Sequence, residues 1–97
     1  MRADYDSEGG TIQIDLEAFD GLDYGDDEVD ERVVIGVSKD KPVRIDLIDA
    51  SGDLVVPLRA AAAAYELDAD TLIAAARAAL AVPDRTIVLD VDARAAA

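Results

Sequence analysis

The chain has 97 residues, 22 acidic and 9 basic side chains, no His, no Cys and a net charge of −13 at pH 7. That length suits one domain. Lacking imidazole and thiol, it cannot build a Ser/His/Asp or Cys/His site or an ordinary zinc site, and its charge opposes binding to phosphate backbones.

From the amino terminus, Ala3 and Tyr5 alternate with Arg2, Asp4 and Asp6. After Ser7-Glu8-Gly9-Gly10 the alternation resumes, with Ile12, Ile14 and Leu16 against Thr11, Gln13 and Asp15. Two period-two runs around a glycine-containing loop read as a β-hairpin with one buried face.

Residues 17–31 break the period. Gly21 and Gly25 punctuate a run of Asp and Glu in which Phe19, Leu22, Tyr24 and Val29 are scattered, which reads as a long acidic loop tacked to the core by Phe19 and Leu22. Residues 1–31 hold twelve Asp and Glu against one Arg, so eleven of the thirteen net negative charges fall in this third of the chain.

Residues 32–38 read as a strand with Val33, Ile35 and Val37 on one side. Lys39-Asp40-Lys41-Pro42 makes a turn, and 43–48 is the partner strand with Val43, Ile45 and Leu47 inward and Arg44 and Asp46 outward. After the loop 49–53, Pro57 suits the first turn of a helix. Residues 58–66 and 71–81 read as two helices, with Asp68 or Asp70 capping the second and Pro83 stopping it. Ile87, Leu89 and Val91 give a final strand over 85–91, followed by a frayed tail of alanines. The expected fold is α+β: a small antiparallel β-meander of two hairpins, an αα-hairpin and a C-terminal strand, in one domain over 1–97.

Hydrophobic residues make up 52% of the chain, but many are alanine and only 4% of residues are aromatic, so the core is expected to be thin and aliphatic. The longest apolar stretch, 60–65, is too short to span a bilayer. Asp4, Asp6 and Glu8 interrupt the region where a signal sequence needs an apolar core. A small domain without disulfides points to a reducing cytoplasm.

Tyr5-Asp6-Ser7-Glu8 followed by Ile12-Gln13-Ile14, and Arg44-Ile45-Asp46-Leu47-Ile48-Asp49-Ala50-Ser51 at the end of the second hairpin, carry a resemblance over residues 1–51. They resemble the opening "YDPE…LYI" and closing "GIEILDAS" segments of domain-of-unknown-function family 2283. The chain departs from that pattern at Gly9-Gly10, at Gly36 and at Arg44, and its acidic segment is longer. The resemblance implies a bacterial β-meander with a trailing helix, no catalytic residues and antitoxin-like pairing with a small toxin.

For catalysis, the serines fall in or near turns and Lys39 and Lys41 flank a hairpin turn, so no activated nucleophile is expected. As a calcium loop, 20–31 places Asp20 first, Gly25 sixth and Glu31 last, but Leu22 and Tyr24 stand at the third and fifth positions, where ligands belong. No metal and no cofactor is therefore expected. The two helices superficially suggest a helix-turn-helix, yet the second carries only Arg77 as a cation. No direct nucleic-acid binding and no membrane association are expected.

The leading expectation is a non-catalytic acidic interaction module that docks a basic protein partner, antitoxin-like or nucleic-acid-mimicking. Its partner-binding residues would be Asp20, Asp23, Asp26, Asp27, Glu28, Asp30 and Glu31, with Phe19, Leu22 and Tyr24 as anchors. The alternative is an accessory subunit, a possible homodimer, that self-associates through its sheet and C-terminal strand. The plainest reading of the acidity is solubility.

Overall fold

A computed structural model of the chain describes residues 1–17 and 25–94. It contains six strands and two helices: β1 (Arg2–Asp6), β2 (Thr11–Asp15), β3 (Gly25–Asp30), β4 (Val33–Ser38), β5 (Lys41–Leu47), α1 (Val55–Tyr65), α2 (Ala69–Ala81) and β6 (Ile87–Val88). All strands join one antiparallel sheet in the order β3-β4-β5-β2-β1-β6. The expected α+β class holds, with both predicted hairpins and the αα-hairpin present.

The alternation in the sequence becomes the two faces of the sheet. Ile12 and Ile14 of β2, Ile45 and Leu47 of β5, and Val33 and Ile35 of β4 are fully buried on one face. Helices α1 and α2 cover that face with Leu58, Ala61, Leu72, Ile73, Ala76 and Ala79. Ala61, Ala76 and Ala79 make half of that covering set, in keeping with the scarcity of aromatic residues. Polar residues at the intervening strand positions line the opposite, open face.

Three elements differ most from the sequence expectation. Residues 25–30, expected within an acidic loop over 17–31, form the edge strand β3, antiparallel to β4 with a bulge between Glu28 and Asp30. Period-two alternation needs a buried face, and at this edge only Val29 packs against the core. The strand expected over 85–91 shrinks to two residues pairing with Arg2 and Ala3. Reciprocal backbone bonds between Met1 and Leu89 (2.8 and 3.2 Å) continue the ladder one step, after which the chain leaves the sheet and meets Leu67 through a bridge at Arg94. Finally, α1 begins three residues before the expected 58, because Asp53 accepts the free N–H groups of Val55 (2.9 Å) and Val56 (3.3 Å).

The turns carry their own signatures. The β4–β5 hairpin reverses at Lys39 and Asp40 alone, both with positive φ, as a two-residue hairpin turn requires. Gly10 (φ 67°) closes the first hairpin by donating to the Asp6 carbonyl at 2.8 Å.

Candidate functional site

Register on the open face sets which charges meet. One row across the strands reads Asp26, Gly36, Arg44, Asp15 and Arg2, from β3 to β1. The next reads Glu28, Val34, Asp46, Gln13 and Asp4. In the first row Asp15 accepts from Arg44 Nε at 3.0 Å and lies 3.8 Å from Arg2, so its charge is shared between two guanidinium groups. In the second row, no carboxylate forms a salt bridge among the described residues.

Electrostatics follow from that difference. Burial raises the Asp46 carboxyl above its ordinary range, and Asp26, Asp15 and Asp4 add to the rise while Arg44 opposes it. Burial likewise raises Asp4, with Asp15 and Asp6 adding and Arg44 opposing. Both shifts express partial desolvation of a carboxylate among like charges. A shallow trough of about 560 Å³ runs over this face, with Val34 and Ile48 as apolar lining between Asp4, Asp26 and Asp46.

The sequence-expected docking residues divide. Asp26 lines the trough, and Glu28 shares its face through the pairing with Val34. Asp27 turns to the helix side, where the Tyr65 hydroxyl donates to its Oδ2. Asp30 accepts the Arg32 backbone N–H at 3.1 Å, and Glu31 is exposed in the turn to β4. Phe19, Asp20, Leu22, Asp23 and Tyr24 lie outside the described residues, and with them the first part, 20–24, of the segment considered as a calcium loop. Among the described residues, no three acidic side chains converge in a manner that could hold a metal ion.

The alternation in sequence sets Asp46 and Asp4 on the polar sides of their strands but does not bring them together. Their strands are separated by about forty positions in sequence, and only the pairing of β2 with β5 makes them neighbours across Gln13. No local periodicity encodes that pairing.

Two further depressions lie away from this face. A cleft of about 240 Å³ between Leu16, Pro42 and Leu67 is rimmed by the Arg94–Glu17 ion pair (3.4 Å). An apolar groove of about 290 Å³ runs between α2 and residues 89–91.

No helix among the described residues is long and apolar enough to cross a membrane. No protein-family model matches the chain, and neither the curated proteins nor the solved structures yield a match.

Proposed function

We propose that this protein is a non-catalytic acidic interaction module of the bacterial cytoplasm that docks a basic protein partner. The single observation that carries this reading is the acidic charge of β3 and the neighbouring open face, which Arg44 offsets only in part. Asp26, Glu28, Asp46 and Asp4 lie there without a salt bridge among the described residues. A cationic surface placed against them relieves their mutual repulsion and gains Coulombic energy at once. The mechanism is occlusion: fast electrostatic association, followed by covering of the partner's basic groove, as in an antitoxin or a nucleic-acid mimic. The resemblance of residues 1–51 to domain-of-unknown-function family 2283 supports the antitoxin-like form.

The test is association with an oligoarginine peptide at low and physiological ionic strength. A Debye length of about 8 Å at physiological salt leaves only charges near contact effective. Association should slow markedly with salt, and Asp26→Asn with Glu28→Gln should weaken it. Binding indifferent to both would overturn the reading.

A second reading, self-association as an accessory subunit, is favoured by one observation. The edge strand β6 is two residues long and leaves Val88 77% exposed, with Val91 52% exposed nearby. Under this reading, Val88→Lys should abolish a dimer seen by light scattering and leave peptide binding intact.

A further inference from the structure

Carboxylates on the row Glu28, Val34, Asp46, Gln13 and Asp4 fall on every second strand. Strands about 4.8 Å apart make them recur about every 9.6 Å. The trough follows this row from β4 to β1, and Ile48, 45% exposed, joins Val34 in giving it an apolar lining. Helices α1 and α2 cover the other face of the sheet, so this one is unpartnered by any described element.

The geometry points to a basic α-helix of a protein partner laid across the strands in this trough, with Arg or Lys every seventh residue opposite Glu28, Asp46 and Asp4. It rests on the docking reading above and adds to it the surface and the partner's period. Seven helical residues rise about 10.5 Å, within about 1 Å of the carboxylate repeat. They also return to nearly the same side of the helix. The methylene stems of those cations cover Val34 and Ile48 while their heads reach the carboxylates. An extended partner fits less well, because its same-side residues recur about every 6.6–6.8 Å. Burial and like charges already hold Asp46 and Asp4 above the usual carboxyl range, so each gains from a cation set opposite it.

The experiment uses the whole chain and two end-capped, alanine-rich helical peptides of equal composition, each with three arginines. In one the arginines stand seven residues apart; in the other they point to different sides of the helix. Calorimetry at low salt should show the in-register peptide binding at least about fivefold more tightly. Asp46→Asn and Asp4→Asn should each weaken it about two- to fivefold. Asp70→Asn on α2 removes the same charge from the helical layer and should leave it unchanged. Equal binding of the two peptides, or equal loss from Asp70→Asn and Asp46→Asn, would overturn the helix register while leaving general cation docking in place. Failure of both peptides to bind would overturn the helix register and the docking reading together. Should a variant fail to fold by circular dichroism, the comparison of the two peptides on the unmodified chain still decides.

Discussion

The Tyr65 hydroxyl donates a hydrogen bond to Asp27 Oδ2 and thereby ties the last residue of α1 to the edge strand β3. The carboxylate acceptor, with smaller contributions from burial and from its charge, pushes the phenol pKa up to about 12. Because the folded value lies above the ordinary 10, the contribution to stability is complete below pH 10 and is lost as pH rises towards 12. Spectrophotometric titration should show one tyrosine ionising late, and Asp27→Asn should bring it back towards 10. Tyr65→Phe should cost about 0.5–1 kcal/mol, since the bond is solvent-exposed.

The Asp46 and Asp4 shifts have the same sign in the acid range. Their folded values lie above 3.8, so the stability they offer is complete below 3.8 and disappears as pH rises through the folded values. Asp84 runs the other way: hydrogen bonds from the Ser7 hydroxyl (2.6 Å) and backbone N–H (2.9 Å) lower its pKa, and its contribution is lost as pH falls below 3.8. The melting temperature should therefore rise on acidification from neutral pH and turn over near the ordinary Asp value. Asp46→Asn should raise the neutral-pH melting temperature and flatten its rise towards acid, measured by circular dichroism across pH.

Arg32 clamps the loop between the sheet and α1. Its guanidinium donates to the carbonyls of Ile48 (3.2 Å), Asp49 (2.5 Å) and Asp53, and stacks so close to Gly52 that a Cβ there would meet it at 3.1 Å. Charge-assisted bonds of this kind, partly exposed, are worth about 1–2 kcal/mol together. Arg32→Ala should cost that much by urea unfolding and accelerate hydrogen exchange at the Gly52 amide. Arg32→Lys should not rescue it, because a point charge lacks the planar fork that reaches three carbonyls.

Core truncation sets the scale for these effects. Leu47 is fully buried where β5 pairs with both β2 and β4. Leu47→Ala should cost about 2–5 kcal/mol in denaturant unfolding, a large part of the roughly 5–15 kcal/mol a domain possesses. Val88→Ala, on the exposed edge, should stay within about 0.5 kcal/mol.

How much the sequence reveals depends on whether a residue sees a buried face. Ile12 and Ile14, or Ile45 and Leu47, alternate because the helices cover one side of their strands, and both hairpins are legible from that alone. Asp26, Asp27 and Glu28 bury no apolar side chain, although α1 reaches Asp27 through Tyr65: the edge strand stays acidic on both faces, and its pattern matches a loop. That acidity has a structural use as well, since charges along an edge discourage pairing with another chain. Leu89 and Val91 alternate like a strand, yet the pairing with β1 ends at the Met1–Leu89 bonds: Leu89 packs against the core and Val91 is exposed. At the candidate site each strand announces its polar side, but the strand order that brings Asp46 near Asp4 depends on contacts distant in sequence.

The central claim, that the open sheet face and β3 receive a cationic partner, is tested most directly by following backbone amide shifts during titration with an arginine-rich peptide. The account predicts salt-sensitive shifts confined to β3 and to the row through Asp46, Gln13 and Asp4. Shifts centred on α1 and α2, or none at low ionic strength, would contradict it.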